Sequence, residues 1–156
     1  MQTSDYLDQK KSEIEQALQM HFDAHFKETS VLNRAIKYSV LNGGKRIRPI
    51  LCLATAESCK GTKQDTLPAA LAVELFHCST LIHDDLPCMD DDDLRRGRPT
   101  CHIQFGEANA VLAGDALIIE AFKLLAIENC THQAAELAQA AGAGGVIAGQ
   151  VADLAA

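Results

Sequence analysis

The sequence lacks the features that mark several common classes of protein. None of its six cysteines forms a Cys-X-X-Cys pair, and no uninterrupted apolar run approaches the ~18 residues of a membrane span. The N-terminus reads MQTSDYLDQKKSEIEQ and contains no apolar signal segment. These absences predict reduced thiols and a cytoplasmic protein, and they give no support for membrane insertion.

Positive charge is also scarce. The chain has 14 lysines and arginines against 21 aspartates and glutamates, which leaves a formal net charge of -7. The field of such a chain repels nucleic acid and anionic lipid, so we expect neither as a partner. Apolar residues, by contrast, make up 47% of the 156 residues, which is enough to build the packed core of one globular domain.

Alternation of β-branched with polar residues is missing as well, whereas apolar residues recur at helical spacing along most of the chain. The sequence therefore predicts an all-α fold. The predicted helices span Ser4 to Phe26 with Ser4 as N-cap, Val31 to Leu41, Arg48 to about Gly61, Pro68 to Leu86, Glu107 to Ile127, His132 to Ala141 and Val146 to Ala156.

Pro87 should end the fourth of these helices, because it cannot donate a hydrogen bond and clashes with the preceding turn. Residues 87–106 should therefore be mostly loop.

Negative charge is concentrated in one segment. Six aspartates lie within the ten positions 84–93, and Arg95, Arg96 and Arg98 follow them. A solvated loop, with the arginines offsetting the acids, is the ordinary interpretation of a charge run. The first two aspartates, however, end a highly apolar helix, where an unpaired carboxylate is costly to bury. Carboxylates there suit Mg²⁺ held together with substrate phosphates, and arginine suits phosphate oxygens. The ligand order excludes an EF-hand, and the spacing disfavours a closed zinc site.

Basic residues and a histidine upstream indicate the same chemistry. Lys45 and Arg48 are three positions apart at a predicted helix start, where the helix dipole disfavours cations unless an anion is bound. His77 stands seven residues, or about two helical turns, before the first aspartate, so both belong to one helix face. The alternatives are a solvent-exposed charged helix start and a core histidine. His83 and His102 show no such relation and are expected to be structural.

Together these motifs resemble the short-chain trans-prenyl diphosphate synthases, of the bacterial farnesyl diphosphate synthase (geranyltranstransferase) type. The matching segments are Asp84-Asp85-x4-Asp90 followed by Leu94 to Thr100, Gly43 to Pro49, Phe105 to Leu117, and Gly149 to Leu154. The first of these is similar to the family's first aspartate-rich motif, and the second to its GGKRxRP segment. The resemblance implies a helical bundle of the isoprenoid synthase type, here incomplete, in which residues 1–156 are the N-terminal part of a single all-α domain.

The same resemblance implies a role for each of these polar side chains. Asp84, Asp85 and Asp90 would hold Mg²⁺ ions that bridge the diphosphate of the allylic substrate. Arg95 would contact that diphosphate directly. The residues that would bind the diphosphate of isopentenyl diphosphate are Lys45, Arg48, His77 and Arg96.

Small side chains occupy the positions that set product length in the family. Where farnesyl-forming members carry a bulky aromatic residue four or five positions before the first aspartate, this chain has Thr80 and Ser79. The resemblance therefore implies a deeper pocket, and it leaves both farnesyl and geranylgeranyl diphosphate open as products.

The activity implied is condensation of isopentenyl diphosphate with dimethylallyl or geranyl diphosphate in isoprenoid biosynthesis, with Mg²⁺ as cofactor and a homodimer as the assembly. The family's second aspartate-rich motif is absent from these 156 residues, and the last helical pattern lacks a Gly, Pro or basic last turn. We therefore expect a truncated or cleaved chain that is inactive alone. The alternatives are a noncatalytic fragment or partner subunit that binds Mg²⁺ and diphosphate, and a purely structural helical protein.

Overall fold

Helices dominate the computed structural model, which describes residues 3–155. Two strands of two residues each, β1 (Leu94–Arg95) and β2 (Arg98–Pro99), form one antiparallel hairpin. The all-α prediction is therefore confirmed. The predicted end of the last helix, Ala156, lies outside the described residues. The helices are α1 (Thr3–His25), α2 (Val31–Leu41), α3 (Ile47–Ser58), α4 (Lys63–Asp84), α5 (Cys101–Phe105), α6 (Glu107–Ile127), α7 (Thr131–Ala141) and α8 (Val146–Asp153).

The centre of the fold is the helix pair α4 and α6, which pack against each other along most of their length. α3 lies against the other side of α4, and α1 packs on α2, α3 and α4. α1 buries one residue per helical turn and α6 one or two, which is the stripe expected of an amphipathic helix facing a core. Each buried Leu, Ile or Phe stabilises the fold by about 1.5–3 kcal/mol. The fully buried residues of these two stripes are Ile14, Leu18, Phe22, Ala110, Ala113, Leu117 and Ala121.

The start of α4 lies at Lys63, so the predicted start at Pro68 is wrong. Thr62 is the N-cap, and its Oγ1 accepts a hydrogen bond of 3.2 Å from the backbone N–H of Asp65. Such a cap satisfies one of the unpaired amides of the first turn. Pro68 lies inside the helix but near its beginning, where its ring removes only one backbone hydrogen bond.

One further local prediction is wrong, and another is right but incomplete. Ser4 lies inside α1, and its hydroxyl contacts Asp5 at 3.5 Å, so Ser4 is not the N-cap. Residues 87–106 are mostly turn and loop, as predicted, but they also contain the hairpin and the short helix α5, which the sequence did not predict. α5 forms because Cys101 and His102 are buried where the chain turns into α6. That burial is a tertiary effect and leaves no periodic pattern in five residues.

All six cysteines are free thiols; Cys78 and Cys101 are buried, and Cys59 and Cys88 are exposed. Within residues 3–155, no helix is both long enough and apolar enough to cross a bilayer.

Gly114 allows α6 to approach α4 closely. A Cβ placed on Gly114 would lie 2.1 Å from Nε2 of His83, which contacts the carbonyl oxygen of Val111 at 3.2 Å. We expect Gly114→Ala to lower the free energy of unfolding by about 1–3 kcal/mol, as overpacking does elsewhere. Gly149, where an added Cβ would meet no atom within 4 Å, offers a matched control.

In the control, Gly149→Ala should be neutral or stabilising by up to about 1 kcal/mol, since alanine is the better helix former. Urea denaturation followed by circular dichroism compares the two variants. A Gly114→Ala protein as stable as the wild type would show that the close approach of His83 has no energetic consequence.

Candidate functional site

The acidic turn, residues 84–93, folds back on the end of α4. The backbone N–H of Asp90 donates to the carbonyl oxygen of Asp84 at 2.8 Å, and that of Asp91 donates to Leu86 at 3.1 Å. Asp91 adopts a left-handed conformation with φ of 54°, which aspartate tolerates better than most residues. Burial, and then the negative charge of Asp90, raise the pKa of the Asp84 carboxyl above its ordinary value. The turn thus brings together two carboxylates that a cation would stabilise.

Asp85 has a different environment from its neighbour. It is the C-cap of α4 and only 3% exposed, and it accepts hydrogen bonds from Nε and Nη2 of Arg95, the former at 2.8 Å. Nη2 of Arg95 also reaches Asp92 Oδ2 at 3.3 Å. Burial raises the pKa of Asp85, while Arg95 opposes that shift. Asp85 therefore already has a cationic partner within the chain.

The predicted set of three aspartate ligands is consequently not assembled as a group. Within residues 3–155, no three His, Cys, Asp or Glu side chains are arranged so that they could hold a metal ion. Mg²⁺ is usually bound by only one or two carboxylates, with substrate phosphates and water completing its shell. Asp84 and Asp90 fit that donor set, because they are carboxylates of like charge, one of them partly desolvated. Asp85, paired with Arg95, fits it less well.

The β1–β2 hairpin attaches the acidic turn to the loop between α2 and α3. Arg96 donates to the carbonyl oxygen of Gly43, and its guanidinium lies 2.8 Å from the position that a Cβ of Gly44 would occupy. Arg98 donates to Asn42 Oδ1 at 2.7 Å and lies over the ring of Tyr38 at 4.8 Å. Because Gly44 has a φ of 139° and the guanidinium approaches so closely, only glycine fits at this position. The two motifs therefore form one structural unit.

A cavity of about 540 Å³ opens beside this loop and carries most of the predicted diphosphate ligands. We call it the basic cavity. Arg48 Nη1 lies 3.2 Å from His77 Nε2, across the space between α3 and α4. Burial, and then the charge of Arg48, lower the pKa of His77, so the neutral ring accepts this hydrogen bond. The basic cavity is lined by Lys11, Asn42, Gly44, Lys45, Arg46, Ile47, Arg48, Glu74, His77 and Arg96.

Lys45 and Arg48 converge on the basic cavity through the loop before α3. α3 begins at Ile47, so Lys45 precedes the helix and shares no helix face with Arg48. The loop before α3 turns through Arg46, which has a left-handed φ of 52°, and this turn places both cations on the cavity wall. The conformation of this loop, and not a shared helix face, therefore brings Lys45 and Arg48 together.

Arg46 is a residue whose role the sequence did not reveal. Its side chain is fully buried; Nη1 donates to Glu74 at 2.6 Å, Nε to Glu15 at 2.8 Å and Nη2 to the carbonyl oxygen of Val40 at 2.7 Å. Although burial opposes the charge, the hydrogen bonds to Glu15 and Glu74 raise the pKa of Arg46. The signal for this contact was Glu74, an acid in the middle of a highly apolar predicted helix, which needs a buried cation as partner.

An apolar groove of about 360 Å³ runs along the other side of α4, beside α8. Asp84 lies at this groove, and so do the two small residues predicted to set pocket depth, Ser79 and Thr80. Their hydroxyls donate to the carbonyl oxygens three residues earlier in α4, at 2.6 and 2.8 Å, so neither carries an unsatisfied polar group into the groove. Phe76, one turn before Thr80, also lines the groove, and the sequence analysis missed it. The remaining lining residues are His83, Met89, Ile118, Val146, Ile147, Gln150, Val151 and Leu154.

Comparison with known proteins assigns the chain to a family. Residues 29–156 match the family model described as Polyprenyl synthetase. Geranylgeranyl pyrophosphate synthase 11, chloroplastic, of Arabidopsis thaliana is 47% identical over 157 residues, which cover 96% of this chain and 43% of that protein. Geranylgeranyl pyrophosphate synthase 7, chloroplastic, of the same plant is 54% identical over 134 residues, covering 82% and 39%. The chain thus spans less than half the length of these relatives.

Solved structures show the same relationship. A geranyltransferase from Legionella pneumophila superposes with a TM-score of 0.91 at 34% identity, covering 97% of this chain and 56% of that one. An FPP/GFPP synthase from Zymomonas mobilis superposes with a TM-score of 0.85 at 38% identity, covering 96% and 58%. The fold, the paired motifs and the extent of the family match agree, and the chain belongs to the polyprenyl synthetase family.

Proposed function

We propose that this chain forms the diphosphate- and magnesium-binding half of a prenyltransferase that condenses isopentenyl diphosphate with an allylic diphosphate. The observation that carries the proposal is the position of α4 between two complementary sites. α4 presents His77 to the basic cavity and, two turns later, Asp84 to the apolar groove. One helix therefore separates a site for an anion from a site for a hydrocarbon chain with a metal-binding carboxylate beside it.

The basic cavity would bind the diphosphate of isopentenyl diphosphate. Within the described part of the chain, the side chains of Lys45, Arg48 and Arg96 form no ion pair with a carboxylate. Three cations without an acidic partner around one cavity are favoured only if an anion binds there. His77 holds the Arg48 guanidinium toward the cavity. These four side chains provide the bidentate and single donors that phosphate oxygens require.

The acidic turn would bind the allylic diphosphate. We propose Asp84 and Asp90 as the ligands of Mg²⁺, whereas Asp85 acts through Arg95 by holding its guanidinium beside the turn. Nη1 of Arg95 makes no hydrogen bond within residues 3–155 and is therefore available for a phosphate oxygen. Bound Mg²⁺ would stabilise the negative charge that develops on the departing diphosphate.

The chemistry that these residues support follows from charge. As the allylic C–O bond breaks, its electron pair leaves with the diphosphate, and the cations of the site stabilise the growing negative charge. The double bond of isopentenyl diphosphate then attacks the allylic carbocation, and a proton is lost from the adduct to a base, for which the released diphosphate is available. The apolar groove keeps water from the carbocation, since its walls are mainly hydrocarbon.

The depth of the apolar groove would set product length. We expect Thr80→Phe to reduce affinity for an uncleavable farnesyl diphosphate analogue about tenfold or more, because a ring in this groove removes space for the chain. Affinity for the dimethylallyl analogue should hardly change, since its short chain stays near Asp84. Isothermal titration in the presence of Mg²⁺ measures both.

A matched control is Thr55→Phe on the exposed surface of α3. Equal losses for the short and the long analogue in Thr80→Phe would contradict the assignment of this groove to the prenyl chain. The small residues at 79 and 80 keep geranylgeranyl diphosphate beside farnesyl diphosphate as the proposed product. The relatives named as geranylgeranyl pyrophosphate synthases support the longer chain.

We propose that the protein forms a homodimer, as the sequence predicts. Exposed apolar residues on α6, among them Leu112, Ile119 and Ile127, favour a homodimer through this helix. One relative is named as the large subunit of a heterodimeric geranylgeranyl pyrophosphate synthase. A cytoplasmic location stays a prediction from the sequence, while the plant relatives are named as chloroplastic.

The decisive experiment incubates the full-length gene product with labelled isopentenyl diphosphate, Mg²⁺ and dimethylallyl, geranyl or farnesyl diphosphate, and separates the products by chain length. Mg²⁺-dependent formation of longer prenyl diphosphates supports the proposal. Mg²⁺-dependent binding of the allylic diphosphate without product supports the alternative of a noncatalytic binding fragment or partner subunit. Absence of both binding and product contradicts both.

A further inference from the structure

We propose that α1 supplies one more diphosphate ligand, Lys11, to the basic cavity. The inference rests on the proposed function of that cavity. Lys11 lies on the cavity wall together with Lys45, Arg48 and Arg96, although it precedes them by more than thirty positions in the sequence. The family match begins at residue 29, so α1 lies outside it, and nothing in that match assigns a role to this helix.

Two adjacent lysines of α1 have opposite environments. Lys10 is buried and forms ion pairs with Glu57 and, at 3.6 Å, with Glu13. Lys11 is exposed toward the cavity, and among the residues that the structure describes no carboxylate lies within 4.0 Å of its Nζ. Lys10 therefore holds α1 in place, whereas the charge of Lys11 remains available to a ligand.

The position of Lys11 is set by contacts of the same helix face. Glu15 follows Lys11 by four residues, and residues at this spacing are neighbours on a helix surface. Glu15 pairs with Arg46, through Nε at 2.8 Å and Nη2 at 3.3 Å, and among the described residues it forms no ion pair with Lys11. Ile14, which is fully buried, fixes the rotation of the helix. The packing of α1 thus carries Lys11 to the loop that supplies Lys45.

The electrostatic balance of the basic cavity favours this role. Glu15 and Glu74 together exceed the charge of Arg46 by one negative charge, and Lys11, Lys45, Arg48 and Arg96 add four positive charges, so the cavity keeps a net positive charge of about three for a ligand. A diphosphate ester carries several negative charges, and a lysine ammonium offers it a compact charge with three donors on a flexible stem. Since Lys11 is exposed on the cavity wall, it would contact phosphate oxygens that face solvent.

The test uses inorganic pyrophosphate as the probe and the 156-residue chain as the protein. EDTA is present, so that binding by the acidic turn through Mg²⁺ is excluded and the basic cavity is measured alone. We expect Lys11→Gln to raise Kd about five- to tenfold and to lower the slope of log Kd against log salt by about one charge. Lys11→Arg should stay within about twofold of wild type, because the charge is kept.

Lys27→Gln is the matched control, because it makes the same change in net charge at an exposed lysine that does not line the cavity. It should change Kd less than about twofold, and its melting temperature should equal that of Lys11→Gln. If wild type binds pyrophosphate and the two glutamine variants bind it equally well, Lys11 is not a ligand, while the proposed function stands. If wild type itself does not bind, both proposals fail.

Discussion

Replacing Asp84 by asparagine is expected to reduce the Mg²⁺-dependent affinity for an uncleavable allylic diphosphate analogue, and any turnover, by about 10²- to 10³-fold. Asparagine retains the shape of the side chain but removes the charge that would hold the metal against the diphosphate. The loss of function should come without a loss of stability. Burial and the charge of Asp90 already destabilise the Asp84 carboxylate, so the metal-free variant should melt at the same temperature or higher.

Asp93→Asn is the matched control for this experiment. Asp93 belongs to the same acidic turn and is exposed, and its backbone carbonyl accepts a hydrogen bond of 3.0 Å from Thr100 that the substitution leaves intact. The net charge changes equally in both variants. Titration calorimetry with and without Mg²⁺ distinguishes them, and equal affinities for Asp84→Asn and Asp93→Asn would overturn the assignment of Asp84 as a metal ligand.

Replacing Arg46 by methionine is expected to lower the free energy of unfolding by about 3–5 kcal/mol. The substitution leaves the Glu74 carboxylate, which is 2% exposed, without its cation, and an uncompensated buried charge is strongly destabilising. Because a typical domain is stable by only about 5–15 kcal/mol, such a loss is a large part of the total. Urea denaturation followed by circular dichroism measures it.

Two further variants make the result specific. Arg34→Met changes an exposed arginine whose guanidinium reaches only a backbone carbonyl at 3.4 Å, and it should change stability by less than about 0.5 kcal/mol. Arg46→Met combined with Glu74→Leu removes both charges, and it should recover much of the loss because no unpaired charge remains. Equal stabilities of Arg46→Met and Arg34→Met would show that the buried ion pair does not hold the loop before α3.

The kinds of side chain at the site follow from the sequence more readily than the hydrogen bonds and ion pairs between them. His77 and Arg48 were both predicted as diphosphate ligands, and they lie together in the basic cavity. Asp85 stays a predicted metal ligand, but the structure shows it buried and paired with Arg95, unlike Asp84. Spacing along a helix end cannot reveal this difference, because it depends on where a hairpin ten residues later returns to the helix.

Helix boundaries also divide into those that local sequence patterns predict and those that depend on tertiary packing. The long periodic helices α2 and α6 were predicted with the bounds that they have. α5 was missed, because its five residues are helical through burial against neighbouring helices. Phe76 was missed as a groove residue for a similar reason. Its position on α4 was evident, but the groove exists only where α8 lies beside that helix.

By itself, the sequence determined the all-α class and the kinds of side chain that the site contains, because helical periodicity and side-chain chemistry are local properties of the chain. The tertiary structure alone decided which charges remain available. Arg46 and Asp85 are neutralised by partners 28 and 10 positions away, whereas Lys11 reaches the basic cavity without a carboxylate partner among the described residues. The reason is physical: the free energy of a charge depends on its burial and on the partners that helix packing brings to it.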